Sequence, residues 1–419
     1  MTGALRGPRA EASSVDSTVA RVISAAGCRD EEITSVIESA GPERVAGILV
    51  DEIVCRADLP PVELGEGVVV QLLFGHGTRT ISHLVQAGPA GVTYEPGGAE
   101  SPHARIEQDL CEAVRAVFGP HGDRAAATRR LELRGSDTPQ AYVLPPTAFW
   151  VAQRLLATMD DRDEIGLTEL ASRYGSDKWG IHRYTQHYQH HFAPLRDRPL
   201  TVLEIGVGGL SGGTTGYRAP DKGGGSLRMW KRYFPRALVY GIDIADKRAL
   251  SEQRITVLRA DQSNADELHE VVEQTGPLDI VIDDGSHRSE HVLTSFTTLF
   301  PHLRDGGLYV IEDLQTSYWP RFGGNSDVFD SPTTSVGFLK SLVDALHYEE
   351  ILDSGGRAPG AYDRLVKGLH FYHNIGFVEK GLNAEGGGPS WLRHPPRRRG
   401  DRGPAGDRSS SQPPSHGPR

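Results

Sequence analysis

Two short acidic runs stand out for the chemistry they can do. Asp283-Asp284-Gly285-Ser286-His287 closes one β-branched run, LDIVIDD, and Glu312-Asp313 closes another, GLYVIED. If both runs are strands of one sheet, four carboxylates and an imidazole gather at its carboxyl edge, where open α/β sheets bind ligands. Such acids repel one another unless a cation neutralises them, and hard oxygen ligands with open positions suit Mg2+ or Mn2+. The pattern predicts a metal held by Asp284, Glu312 and Asp313. A single Asp here would be read as a cap on the following helix; two acidic strand ends together favour the ion. His287, three residues beyond Asp284, is the expected general base, because imidazole titrates near neutral pH. The alternative for His287 is a structural histidine supporting the ligands.

A second constellation lies upstream. The run Leu203-Glu204-Ile205-Gly206-Val207-Gly208-Gly209 ends a strand in glycines, which let the backbone turn sharply and approach a ligand without Cβ obstruction. The shape is that of an adenosine-cofactor loop; alone, it is also that of an ordinary strand-to-helix turn. Ser211 stands where a dinucleotide fingerprint needs its third glycine, which weakens a pyrophosphate reading. Glu204, just ahead of Gly206 and Gly208, suits a cofactor with a cationic methionine end. Asp243 closes the next strand, where a carboxylate accepts both ribose hydroxyls. The Gly-rich insertion LSGGTTGYRAPDKGGG separates the two and reads as a flap over the site. Ser226, at the start of the following helix, is placed to donate to a cofactor carboxylate along with the helix N-terminus. Asp261 and Gln262, after the third strand, are candidates for the adenine amine; a solvated loop is the equal alternative.

These residues need a particular scaffold. From residue 199 onward, short β-branched runs (TVLEIG, ALVYGIDI, ITVLRAD, LDIVIDD, GLYVIED) alternate with helical segments (SLRMWKRYF, ADELHEVVEQTG, SEHVLTSFTTLF, VGFLKSLVDALHYEE), the rhythm of a doubly wound parallel sheet. RLVKGLHFYHNIGFVEKG then reads as an antiparallel hairpin turning at His373-Asn374. Five parallel strands closed by a hairpin resemble the class I fold of S-adenosylmethionine (SAM) dependent methyltransferases, a Rossmann-like α/β sheet. A nicotinamide oxidoreductase would normally end on a parallel sixth strand. In such a methyltransferase the metal would lower the pKa of an otherwise poor alcohol nucleophile, each unit being worth about 1.4 kcal/mol.

The 419 residues suggest two domains and a tail: an auxiliary α+β domain over 1–160, the methyltransferase domain over 161–391, and an Arg/Pro/Ser-rich, disordered tail over 392–419. In the first half helices are expected at VDSTVARVISAAG, GPERVAGILVDEIVCRA and HARIEQDLCEAVRAVFG, with GVVVQLLF a strand or a buried helical segment; residues 1–16 read as disordered. A net charge of −10 argues against nucleic acid as a partner. There is no apolar run long enough for a membrane span and no hydrophobic signal core, and the 3 cysteines show no close pairing, as expected of a cytoplasmic protein.

The runs LEIGVGG, GGGSLRMWKRYFP, VIDDGSH, TSFTTLFPHLRDGGLYVIED, YWPRFGG and GLHFYHNIGFVEKG resemble the macrolide sugar O-methyltransferases, over most of the second domain and more weakly over the first. The resemblance implies SAM as co-substrate, Mg2+ at Asp284, Glu312 and Asp313, and His287 as base. It also implies a 6-deoxyallose 2-hydroxyl on a glycosylated macrolide as acceptor, and a homo-oligomer, expected to be a tetramer, organised by the auxiliary domain. Residues 173–180, RYGSDKWG, resemble the family's entry to the site, with Ser176 near the methionine end. The insertion after Gly209 and the tail after Trp391 depart from that pattern. A module that keeps the fold but has lost catalysis is the competing reading from outside enzymes.

Overall fold

The computed structural model describes residues 10–62, 67–123, 126–134, 146–160, 165–209, 223–352 and 360–389. Residues 210–222 of the expected flap (210–225), with Ser211, the boundary near residue 161, Trp391 and the tail lie outside the described residues, as do residues 1–9.

The described residues between 10 and 160 form a five-stranded sheet with helices packed on it. Three helices come first, α1 (Ala10–Ala25), α2 (Asp30–Ala40) and α3 (Pro42–Ala57). They are followed by β1 (Val68–His76), β2 (Arg79–Gly88), β3 (Gly91–Pro96), β4 (Ala104–Asp109), α4 (Leu110–Phe118), β5 (Arg130–Leu133) and α5 (Thr147–Asp160). The strand order is β3-β2-β1-β4-β5, parallel only between β1 and β4. GVVVQLLF is therefore a strand, with Val68, Val70, Leu72 and Phe74 buried.

Two expectations need correction. The disorder expected of residues 1–16 gives way at Ala10, where α1 begins. The single helix expected across residues 103–119 is a strand followed by a helix. Ala104, Ile106 and Gln108 alternate inward with period two and pair with β1, and the Asp109 carboxylate then accepts from the Cys111 and Glu112 amides, starting α4 at Leu110.

The second sheet is built from α6 (Leu167–Tyr174), α7 (Thr185–Phe192), β6 (Thr201–Ile205), α8 (Gly225–Tyr233), β7 (Leu238–Asp243), β8 (Ile255–Arg259) and α9 (Ala265–Thr275). It continues through β9 (Leu278–Asp283), α10 (Ser289–Leu299), β10 (Leu303–Ile311), α11 (Ser335–Leu346), β11 (Val366–Tyr372) and β12 (Ile375–Lys380). The order is β11-β12-β10-β9-β6-β7-β8, with β12 antiparallel between β10 and β11 and the other five strands parallel. This is the expected class I methyltransferase arrangement. Strand alternation sorts the side chains of β6: Val202 packs with Tyr184, Tyr188 and Trp230 on the α6–α8 side, while Leu203 and Ile205 pack with Phe296 and Leu339 on the α10–α11 side. The chain reverses direction across the sheet between β6 and β9, the switch point at which such sheets open a ligand crevice.

A buried ionic knot joins the two sheets. Glu52 of α3 accepts from Arg56 Nε at 2.6 Å and from Arg254 Nε and Nη2 at 2.9 and 2.6 Å. Arg254 also donates to the carbonyls of Lys231, Phe234 and Ala237, and Arg56 to those of Val117 and Pro235. Burial would raise the Glu52 carboxyl, but Arg254 and Arg56 outweigh it and hold it far below the usual range. Removing one member of such a knot strands the others without water. Glu52→Gln is therefore expected to lose about 3–5 kcal/mol of unfolding free energy in urea titration; an unchanged midpoint would mean that the arginines find other acceptors.

Candidate active site

The site sits where β6, β9 and β10 end together. Gly206 holds φ +91°, and a Cβ there would lie 2.1 Å from the Asp284 carbonyl oxygen, so β6 and β9 come this close only because residue 206 has no side chain. The Asp284 amide donates to the Ile205 carbonyl, and the Glu312 amide to that of Asp283. These bonds lock the three strand ends in register.

Adjacent acids part ways at the end of β9. Asp283 turns into the α10 side, accepting from Gln262 Nε2 at 2.6 Å, Ser295 Oγ and Tyr309 Oη, and burial pushes its carboxyl up to about 6. Asp284 turns the other way and meets Lys178. The Lys178 ammonium, fully buried, lies 2.7 Å from Asp284 Oδ2, 2.7 Å from Glu312 Oε1 and 3.3 Å from Glu204 Oε1. Burial alone would lower this lysine, but Asp284, Glu312 and Glu204 hold it charged well above its ordinary value. Burial raises all three carboxyls, Glu312 well above its ordinary value, and Asp284 adds its repulsion to both Glu312 and Glu204. Tyr188 Oη also donates to Glu312 Oε1, and Tyr184 Oη donates to Asp313 Oδ1 at 2.7 Å.

Asp284, His287 and Asp313 each offer a ligand atom within 4.8 Å of the others, the one such group of His, Cys, Asp or Glu among the described residues. His287 Nε2 stands 3.6 Å from Asp313 Oδ2, and His182 Nε2, its ring stacked on Tyr184, stands 3.8 Å from Asp313 Oδ1. Both His287 (φ 57°) and Asp313 (φ 53°) hold left-handed backbone, which costs roughly 1–2 kcal/mol each. Such strain concentrates at functional sites. Glu312 lies beside this group rather than in it, with Oε1 engaged by Lys178 and Tyr188.

The expected cofactor residues divide. Asp243 ends β7 with Oδ2 accepting from the Val207 amide and Lys247 Nζ and Oδ1 from the Ala245 amide, beside the glycine turn. Lys247 also reaches the Gly208 carbonyl. Ser226 donates to Glu204 Oε2 at 2.7 Å, so as placed it supports Glu204. Gln262, expected to meet adenine, donates to Asp283 and Ser295 and accepts from the Ser286 amide; it braces the sheet end. Asp261 Oδ1 accepts from the amide and hydroxyl of Ser263. Ser176 is buried, its hydroxyl near the Lys178 amide, and the turn it belongs to presses on α8, where a Cβ on Gly225 would meet the Tyr174 carbonyl at 2.8 Å.

Sequence reasoning missed Lys178, His182, Tyr184 and Tyr188. The signal was present for two of them: Tyr184 and Tyr188 are four residues apart, the spacing that puts two side chains on one helix face. Lys178 lay inside a segment already singled out, but nothing in its spacing tells a buried lysine from a solvated one.

A family model for the MycE methyltransferase N-terminal region matches residues 19–129, and one for a methyltransferase domain matches residues 203–314. The chain is 48% identical over 377 residues to the 8-demethyl-8-alpha-L-rhamnosyl tetracenomycin-C 2'-O-methyltransferase of Streptomyces olivaceus, covering 89% of this chain and 97% of that one. It is 46% identical over 380 residues to the demethylmacrocin O-methyltransferase of Streptomyces fradiae, covering 89% and 94%. The chain belongs to the macrolide sugar O-methyltransferase family. A solved structure of the MycE methyltransferase from the mycinamycin biosynthetic pathway, in complex with Mg, SAH and mycinamycin VI, is 40% identical and superposes with a TM-score of 0.78 over 91% of this chain and 97% of that one. As a member of this family the chain is an O-methyltransferase, and the nicotinamide reading falls with the antiparallel β12. Gly206→Ala is expected to cost at least about 2 kcal/mol in a denaturation midpoint, since the Asp284 carbonyl must move and L residues are strained at this φ. Equal midpoints would show the turn to be compliant.

Proposed function

We propose that the protein transfers the methyl group of SAM to the 2-hydroxyl of 6-deoxyallose on a glycosylated macrolide, as in demethylmacrocin, in a reaction that depends on Mg2+. The carrying observation is the convergence of Asp284, His287 and Asp313 at the ends of β9 and β10, beside the glycine turn of β6. A second acceptor, a rhamnose 2-hydroxyl on a tetracenomycin, is favoured by the 48% identical relative. Both readings put the methyl group on the 2-position of a 6-deoxy sugar.

The donor set fits a divalent ion. Glu204, Asp284 and Glu312 bring three carboxylates against the ammonium of Lys178, with Asp313 beside His287, and burial holds the three above their ordinary values despite the lysine. Asp284, Asp313 and Glu312 would hold Mg2+, which, when bound, lowers the pKa of a sugar hydroxyl and orients it. His287 then takes the hydroxyl proton at Nε2, which no hydrogen bond to Asp313 consumes at 3.6 Å. Asp313 steadies the imidazolium that forms, and Tyr184 fixes Asp313 from the other side.

For SAM, Gly206 and Gly208 give the backbone approach, Asp243 takes the ribose hydroxyls, and Glu204 with Ser226 and Ser176 lines the methionine end. Asp261, with Gln262 braced behind it, lines the adenine end. In this reading residues 1–160 are the auxiliary domain, 161–391 the methyltransferase domain and 392–419 a tail, and the enzyme works in the cytoplasm as a homo-oligomer, a tetramer by family resemblance. The free state of Cys28, Cys55 and Cys111 is consistent with a reducing compartment.

Methyl transfer from labelled SAM to demethylmacrocin and to rhamnosyl tetracenomycin tests the reading. Turnover is expected to vanish with EDTA and return with Mg2+, and His287→Ala is expected to lose roughly 10²–10⁴-fold in kcat while still binding SAM. Turnover indifferent to EDTA would remove the metal; SAM binding without turnover on either acceptor would favour a catalytically silent module.

A further inference from the structure

The side chain at the centre of the site is one that neither the proposed metal ligands nor the proposed base accounts for. Lys178 belongs to the loop between α6 and α7, yet its ammonium is fully buried and touches carboxylates from three separate strand ends: Glu204 of β6, Asp284 after β9 and Glu312 after β10. A lysine is almost never fully buried unless paired, and this one has three acidic partners. Its approach path is fixed as well. The Tyr184 and Thr185 amides donate to the Lys178 carbonyl, so the loop is pinned to the start of α7, whose Tyr188 reaches the same Glu312 oxygen.

We propose that Lys178 is the positioning residue of the metal site: its ammonium fixes the inner oxygens of Asp284 and Glu312 before any ion enters and confines a divalent cation to the outer side of the cluster, toward Asp313 and His287. The assignment rests on the metal reading given above. Lys178 meets Asp284 at Oδ2 and Glu312 at Oε1, so Asp284 Oδ1 and Glu312 Oε2 are the oxygens the ammonium does not engage. An ammonium on one oxygen of each carboxylate, joined on Glu312 Oε1 by the Tyr188 hydroxyl, narrows the orientations open to the second oxygen. Fixing the orientation of ligands in this way is what outer partners of metal sites do.

The proposal can be separated from plain electrostatics, because the two predict opposite signs. Removing a positive charge next to a dication should tighten its binding; removing the group that orients the ligands should weaken it. Mn2+ binding to the full chain, followed by electron paramagnetic resonance, reads the sign, with SAH binding by calorimetry as a control on the neighbouring site. Lys178→Met is expected to bind Mn2+ at least about tenfold more weakly than wild type, with SAH binding still detectable as evidence of an intact fold. The variant Lys178→Met/Glu204→Gln removes one charge of each sign and so keeps the cluster's net charge; should the single variant fail to fold, this pair is expected to show the same weakening. Unchanged or tighter Mn2+ binding in either variant overturns the positioning role. Wild type that takes up no Mn2+ overturns the metal reading itself, a failure visible before any variant is compared.

Discussion

One buried ammonium sets the terms for the whole catalytic edge. Three parallel strands deliver Glu204, Asp284 and Glu312 to one point, and without Lys178 their mutual repulsion would force the strand ends apart or leave the acids protonated. The strand ends cannot separate freely, because Gly206 brings β6 against the Asp284 carbonyl and the Ile205 and Asp283 carbonyls accept the next strands' amides. Charge and backbone geometry therefore depend on each other: the tight crossing crowds the acids, and the lysine makes the crowding tolerable.

The outer part of the site is arranged differently. His287 and Asp313 are partly exposed and each is held in left-handed backbone. A strained conformation survives only when its surroundings over-determine it, and here Tyr184 and the start of α7 do so for Asp313. The inner layer is thus gathered around one buried ammonium, while the outer layer is partly open to solvent.

Much of this was legible in the sequence because the relevant signals are local. Alternation and β-branching marked β6 to β10, and acids at strand ends marked the catalytic edge. Asp283 and Asp284 could not be told apart by type; only strand parity separates the buried brace from the site carboxylate. The strand β4 was hidden because its six residues run straight into α4, and a short period-two run is easily absorbed into a following helix. Lys178 was invisible for a deeper reason: its meaning comes from three partners distant in the chain, and no local pattern encodes that.

The knot of Glu52, Arg56 and Arg254 bears on how such enzymes diversify. Arg254 belongs to the methyltransferase sheet but finds its carboxylate on α3, and Arg56 reaches from α3 to the Pro235 carbonyl. Each half thus carries a buried cation or anion whose counter-charge lies in the other. Recombination between related genes that exchanged one half alone would have to preserve this match, so the two halves are constrained to travel together, and changes of acceptor are more readily made by substitution around the site than by swapping modules.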